Sequence, residues 1–151
     1  MIELISFTRN NSEIEPYGCS IYDEAGKMLI SITGNKDSPI NHAEILAINK
    51  CAAYHPNIRW DRLTLYTTGE PCCMCASACC WANIKEVIYA TDIPFMIDLW
   101  GIESPKRAVD VMRLHPKVPN IIGGICKEES NQLFVERKDA FAKACKEHRW
   151  L

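Results

Sequence analysis

The stretch Thr68-Gly69-Glu70-Pro71-Cys72-Cys73-Met74-Cys75-Ala76 lies between a predicted buried strand, Leu63–Thr67, and a short predicted helix that runs from about Cys72 to Ala82. Cys72 and Cys75 are three residues apart, so on a helix they share a face. That spacing lets both sulfurs reach one tetrahedral ion at about 2.3 Å. The stretch therefore predicts half of a metal site at the start of a helix.

The other half of the predicted site lies thirty residues earlier, in His42-Ala43-Glu44. Ser38-Pro39 predicts the N-cap and first residue of a helix that ends near His55-Pro56. His42 can supply a nitrogen ligand from this helix, and three protein ligands leave a fourth position for water, as in catalytic zinc sites. The positive ends of two helices favour thiolates, and zinc acidifies a bound water toward a pKa near 7.

Glu44 has a different predicted role from its neighbour. Two residues from His42 on a helix, it points about 200° away and is a poor second ligand. It can lie beside the metal water and move a proton from that water to the substrate's ring nitrogen and then to the leaving amine. The pair His-x-Glu and Pro-Cys-x-x-Cys is the signature of zinc-dependent base deaminases.

Other interpretations of the cysteines are weaker. A Cys-x-x-Cys pair also fits a redox pair, but Pro71 precedes the first cysteine and no thioredoxin-like strand pattern surrounds it. A closed four-cysteine zinc site needs a second spaced pair, whereas Cys79 and Cys80 are adjacent. Cys73, Cys79 and Cys80 are therefore predicted to support the site or to pack in the core.

The rest of the chain alternates strands with helices. Ile2–Asn11 is ambiguous between a short helix and a strand. The further predicted elements are a hairpin of strands Gly18–Tyr22 and Met28–Thr33, a strand at Val87–Ala90, a helix from Ser104-Pro105 to about Leu114, a short strand within Ile121–Ile125 and a helix from about Glu128 to Arg149. This order predicts a sheet covered by helices on its faces.

Composition limits the class of protein. The 151 residues suit one domain over the whole chain, 1–151, and a net charge of −2 gives no global attraction to nucleic acid or membrane. No apolar run approaches the roughly 20 residues of a membrane span, and no signal peptide is predicted. Nine cysteines, five of them between Cys72 and Cys80, predict a reducing cytoplasm rather than a disulfide scaffold.

The residues Asn41-His42-Ala43-Glu44 and Thr68–Ala76 resemble the cytidine/deoxycytidylate deaminase superfamily, and more narrowly its branch of bacterial guanine deaminases and tRNA adenosine deaminases. The similarity runs from about Tyr17 to Thr91. It implies a three-layer α/β/α fold with a five-stranded mixed sheet, and a homodimer. It also implies that His42, Cys72 and Cys75 bind Zn²⁺ and that Glu44 is the proton shuttle.

Within this branch, several residues point toward the substrate. Trp81-Ala82 resembles the Trp-Ala of bacterial guanine deaminases, and a tryptophan can stack on a base, although it can equally be a core residue. Gly34-Asn35 resembles a Gly-x-Asn whose asparagine binds the substrate's ring edge, but here the two residues are adjacent. Residues 92–101, predicted as a loop, offer Phe95 and Trp100 as pocket walls. Asp98 or Glu103 could contact a purine 2-amino group; dimer packing is the alternative for this segment.

These residues and the net charge predict a small-molecule substrate, a free purine such as guanine. The alternative is a tRNA adenosine-to-inosine deaminase, because the C-terminal helix carries several basic residues, although acidic residues are interleaved. A nucleoside or nucleotide deaminase of the cytidine type is a further alternative. A non-catalytic deaminase-fold subunit with structural zinc is the remote one, since such subunits typically lose the glutamate that this chain keeps at Glu44.

Overall fold

The computed structural model describes residues 1–35, 37–101 and 104–147. Its five strands form one mixed sheet in the order β2-β1-β3-β4-β5. β1 pairs antiparallel with β2 and β3, whereas β3, β4 and β5 run parallel. The strands are β1 (Gly18–Tyr22), β2 (Met28–Thr33), β3 (Thr64–Gly69), β4 (Glu86–Thr91) and β5 (Asn120–Ile122). The predicted five-stranded mixed sheet is confirmed.

Helices cover both faces of this sheet. They are α1 (Ile2–Asn11), α2 (Ala43–Tyr54), α3 (Cys73–Trp81), α4 (Ile93–Trp100), α5 (Ala108–Met112) and α6 (Lys127–Glu147). Along one face α2 packs on β1 and β2 and against α3, and α3 packs against α5. On the other face α6 lies on β4 and contacts α1 and α4. The arrangement is the three-layer α/β/α fold that the resemblance implies.

Two helices begin later than predicted. α2 begins at Ala43 with His42 as its N-cap, while Ser38 opens a turn in which its carbonyl accepts from the Asn41 amide. α5 begins at Ala108 with Arg107 as its N-cap, and the Ser104 hydroxyl accepts from the Lys106 amide. A Ser-Pro pair suits the first positions of a β-turn as well as a helix start. At Ser38 the backbone turn forms, and at Ser104 the serine hydroxyl makes a local side-chain turn.

The predicted loop at 92–101 is instead helix α4. The Asp92 carboxylate caps it by accepting from the Phe95 amide, and Gly101 ends it in the left-handed conformation at φ 71°. Ile93 and Met96, three residues apart, form its buried side. The ambiguous first segment is also helical, because Leu4, Ile5 and Thr8 bury one side of α1.

The main core lies between the sheet and the face that carries α2 and α3. Cys19, Leu65 and Val87 supply its strand side and are fully buried. The helix side is built from small buried residues, which include Ala47 of α2 and Ala76 of α3. Small side chains let the two helices approach the sheet and each other closely. Within the described ranges, no helix combines the length and the apolar character that a bilayer span requires.

Candidate metal centre and active site

Two helix N-termini meet at the edge of the sheet where β3 ends. His42 is the N-cap of α2 and Cys72 the N-cap of α3, and each has an extended backbone with ψ of 150° and 174°. Neither side chain makes a capping hydrogen bond to its own helix. Cys75 lies in the first turn of α3. The imidazole and both thiols therefore turn toward one point between the helices.

The distances among these three side chains fit a tetrahedral ion. His42 Nδ1 lies 3.6 Å from Cys72 Sγ and 3.6 Å from Cys75 Sγ, and the three ligand atoms lie within 4.8 Å of one another. A nitrogen and a sulfur bound to one tetrahedral Zn²⁺ are separated by about 3.6 Å. His42 is exposed, Cys72 is half-buried and Cys75 is buried, so the cluster opens to solvent on the histidine side. The arrangement fits an ion with an accessible fourth position.

The two thiols differ in acidity. The pKa of Cys72 is lowered to about 4, chiefly because its sulfur accepts a hydrogen bond from Cys75 and also because His42 lies next to it. The pKa of Cys75 is raised well above its usual value, because its thiol donates that bond and is buried. Because thiolates are the metal-binding form, a bound cation would favour loss of the proton from Cys75 as well.

Glu44 lies in the first turn of α2 and is 3% exposed. Its Oε1 accepts a hydrogen bond of 3.1 Å from the hydroxyl of Thr67, which lies on β3 and is fully buried. Burial raises the pKa of Glu44, and the nearby His42 partly opposes that shift. Beside the His-Cys-Cys cluster, such a carboxylate can take up and release a proton.

A second buried carboxylate, that of Glu70, lies directly after β3 and accepts several hydrogen bonds. The Arg107 guanidinium donates from Nε to both Glu70 oxygens at 2.9 Å, and the amides of Ile93 and Ala108 donate at 3.0 and 2.9 Å. Arg107 also donates from Nη2 to the Tyr89 hydroxyl at 3.0 Å. Glu70 thereby fixes the starts of α4 and α5 directly beside the cysteine loop.

Sequence reasoning did not single out this network. Glu70 lies in the stretch first quoted, and a charged residue between a buried strand and a metal-binding loop was the available signal. Arg107 carried no such signal, because 37 positions separate it from Glu70. Thr67 was predicted only as part of a buried strand.

Asn35 is tied to the loop that leads into the metal cluster. Its Oδ1 accepts from the Asn41 side-chain amide at 2.9 Å and from the Asp37 backbone amide at 3.1 Å. Its backbone amide donates to the Asn41 carbonyl at 3.2 Å. The side-chain oxygen of Asn35 thus accepts two hydrogen bonds within the loop that precedes His42. Its contact with a substrate stays a prediction.

Trp81 does not lie near the cluster within one chain. It is the last residue of α3, about 12 Å along the helix from Cys73. Its side chain is 79% exposed and meets the His115 ring edge-on at a centroid distance of 5.6 Å. The core alternative for this residue is therefore wrong for the single chain, and contact of Trp81 with a substrate stays a prediction. Nine residues after Cys72, it has followed the helix away from the ligands.

The other predicted pocket residues lie on α4. Phe95 is half-buried against the cluster of Ile93, Met96 and Phe134. The Trp100 ring packs at a tilt against Phe141 and Phe134, with centroid distances of 4.8 and 5.5 Å, so it lies between α4 and α6 rather than on the metal ligands. Asp98 is exposed, and Glu103 lies outside the described residues.

Residues 5–91 match the model of the cytidine and deoxycytidylate deaminase zinc-binding region, which covers more than half of the chain. The chain belongs to this family. It is a deaminase of the cytidine deaminase superfamily with zinc as its cofactor, and its His-Cys-Cys cluster is able to hold that ion.

Relatives of the chain carry different substrate names. A tRNA-specific adenosine deaminase of Rickettsia bellii is 33% identical over 131 residues, which cover 83% of this chain and 85% of that protein. The guanine deaminase of Bacillus subtilis is 40% identical over 62 residues, covering 41% of this chain and 39% of that protein. The structure of guanine deaminase from Nitrosomonas europaea matches the fold with a TM-score of 0.76 at 20% identity, over 91% of this chain and 81% of that one.

Proposed function

We propose that the chain deaminates a free amino-substituted nucleobase, with a purine such as guanine as its preferred substrate. In the overall reaction the oxygen of water bonds to the ring carbon, the carbon–nitrogen bond breaks, and ammonia leaves a ring carbonyl behind. The observation that supports the chemistry is the buried Glu44 carboxylate next to the open His42–Cys72–Cys75 cluster.

Each of these residues has a separate role. His42, Cys72 and Cys75 would hold the zinc ion. When it is bound, zinc lowers the pKa of a water molecule so that hydroxide is available at neutral pH. Glu44 takes a proton from the attacking water, gives it to the ring nitrogen, and then transfers a proton to the departing amine. Burial suits Glu44 to this exchange, since it raises the pKa of the carboxyl above its usual value.

The charges of helix α6 favour a free base over RNA. Lys127 pairs with Asp92 at 2.7 Å, and Lys143 pairs with Glu147 at 3.7 Å. Arg137 donates to the Arg9 backbone carbonyl at 3.1 Å. RNA affinity depends largely on cations that are available to neutralise phosphates. Three of the five basic residues of α6 instead have a partner within the chain, whose net charge is −2.

A second candidate is the deamination of adenosine to inosine in tRNA. The Rickettsia bellii relative, which bears that name, is 33% identical and is matched over 85% of its length. Under this alternative the loop before His42 would have to admit a nucleotide held in a polynucleotide.

An ammonia-release screen distinguishes the candidates. Guanine, adenine, cytosine, their nucleosides and an anticodon stem-loop are compared at equal concentrations, at low and high salt. We expect the fastest release from guanine, with a rate that depends weakly on salt. Faster inosine formation in the RNA, falling steeply as salt rises, would establish the tRNA alternative instead.

The metal ligands are tested separately by zinc content. Cys72→Ala and Cys75→Ala should lose the roughly one equivalent of zinc that a catalytic site holds, since two ligands remain. Cys79→Ala is the matched control, because Cys79 lies on the same helix, is fully buried and should leave zinc in place. Metal retained by both ligand variants would refute the assignment.

The proposal includes a homodimer in a reducing cytoplasm. No disulfide joins the cysteines, all of which lie in the described ranges.

The ends of α3 and α5 expose Trp81 at 79% and nearby Leu114 at 85%, which are candidates for burial by a second copy. Light scattering during size-exclusion chromatography should give twice the chain mass, and a monomer would contradict the dimer.

A further inference from the structure

The side chain that contacts Glu44 from the sheet is that of Thr67, on the central strand β3. Thr67 Oγ1 donates to Glu44 Oε1 at 3.1 Å, and the two residues are 0% and 3% exposed. We infer that Thr67 is a positioning residue for the proton-transferring carboxylate. It fixes Oε1 so that Oε2 is the oxygen presented to the reaction. This inference rests on the proposed role of Glu44.

Thr67 is well suited to hold another side chain still. It lies on β3, where it is opposite Cys19 of β1 on one side and Tyr89 of β4 on the other. Its backbone is therefore held by strands on both sides, and its β-branched side chain has few rotamers. A glutamate carboxyl, by contrast, has a broad terminal torsion. A hydroxyl bond to one oxygen removes that freedom.

The neighbouring thiols would be poor replacements for the Thr67 hydroxyl. The buried thiols of Cys19 and Cys79 are coupled electrostatically to Glu44. Burial raises the pKa of both thiols well above its usual value, so they remain neutral and are only weak donors. Among the described side chains, Thr67 is the one hydroxyl or amide that donates to this carboxylate.

The inference predicts a loss in turnover rather than in substrate binding. The Thr67 hydroxyl contacts Glu44, and a carboxylate that rotates freely spends less time in the reactive orientation. We expect Thr67→Val to lower kcat by about 10- to 100-fold, with KM and zinc content unchanged. Thr67→Ser keeps the hydroxyl and should recover most of the rate.

Thr91→Val is the matched control. Thr91 is a fully buried threonine on the neighbouring strand β4, and its hydroxyl donates to Ser130 Oγ at 2.9 Å, away from Glu44. This variant loses a buried hydroxyl bond of the same kind. It should lower thermal stability and leave kcat within about twofold of the parent.

The experiment compares these variants on the fastest substrate of the ammonia-release screen. It records kcat, KM, zinc per chain, thermal unfolding and crystal structures of the Thr67 variants, in which Glu44 should lose its single orientation only when the hydroxyl is absent. Thr67→Ala runs in parallel, because it removes the hydroxyl without placing a methyl group against the carboxylate. A wild-type kcat in a folded Thr67→Val or Thr67→Ala variant overturns the inference.

A double-mutant cycle separates this inference from the proposed function. If Thr67 acts through Glu44, Thr67→Val should cause no further loss of rate in the Glu44→Gln background. A full additional loss there, or a Thr67→Ser rate no better than that of Thr67→Val, contradicts positioning. If Glu44→Gln itself retains the wild-type rate, the proton-shuttle role fails, whatever Thr67 does.

Discussion

Glu44 and Glu70 are equally buried, at 3% exposure, yet their surroundings differ sharply. Glu70 accepts from the Arg107 guanidinium and from the backbone amides of Ile93 and Ala108, so both of its oxygens are satisfied several times. Glu44 has Thr67 as its one side-chain donor among the described residues, and burial raises its pKa. The two carboxylates therefore differ in their hydrogen-bond partners and not in their burial.

The difference separates a structural carboxylate from a reactive one. A buried carboxylate that accepts from several donors ties together the segments that donate to it. A buried carboxyl with few partners can change its protonation state at a lower cost. On this basis we propose that Glu70 holds the loop that carries the cysteines, whereas Glu44 exchanges protons within the site that the loop builds.

The largest expected effect comes from Glu44→Gln. The amide keeps the shape of the side chain but cannot shuttle a proton, so we expect activity to fall by at least about 10²–10⁴-fold. Zinc content and the free energy of unfolding should stay near the wild-type values, because a buried neutral amide is cheaper than a buried carboxylate. Steady-state rates, metal analysis and urea unfolding check these outcomes. Near wild-type turnover would remove Glu44 from the mechanism.

The same substitution at Glu70 should affect stability first. Glu70→Gln removes the charge that the partly exposed Arg107 faces and places an amide donor among donors, so we expect a loss of about 2–3 kcal/mol in the free energy of unfolding. Urea unfolding at a fixed free zinc concentration measures it. Glu136→Gln, in the exposed ion pair with Arg9, is the control and should cost less than about 1 kcal/mol. Equal losses in the two variants would show that the Glu70 network is not specially stabilising.

The features that the sequence could predict are those that depend on residues close together in the chain. His42, Cys72 and Cys75 come from two short motifs, each within a single helix start, so local spacing alone places them correctly. The alternation of strands and helices was likewise enough to predict a covered sheet. Each of these predictions depends on neighbours in the chain.

Contacts between distant segments left no comparable signal. Thr67 meets Glu44 across 23 positions, and Arg107 meets Glu70 across 37. The helix starts at Ser38-Pro39 and Ser104-Pro105 were wrong because local sequence does not distinguish a turn from a first helical turn there. The core alternative for Trp81 was wrong because the sequence pattern does not show that the last residue of α3 is exposed in the single chain.

The smallest expected effect comes from Tyr89→Phe, at the edge of the Glu70 network. Tyr89 is 9% exposed, and its hydroxyl accepts from Arg107 Nη2 at 3.0 Å. Tyr89→Phe removes that bond while the ring can keep its packing against Gly123, so we expect a loss of about 1 kcal/mol in unfolding free energy. Turnover should not change, because Glu70 retains its bonds to Arg107 Nε, Ile93 and Ala108. Unfolding curves and steady-state rates measured on one preparation test both statements. A tenfold fall in kcat without a matching loss of stability would mean that the network also sets the geometry of the active site, and that the division between a structural and a reactive carboxylate is incomplete.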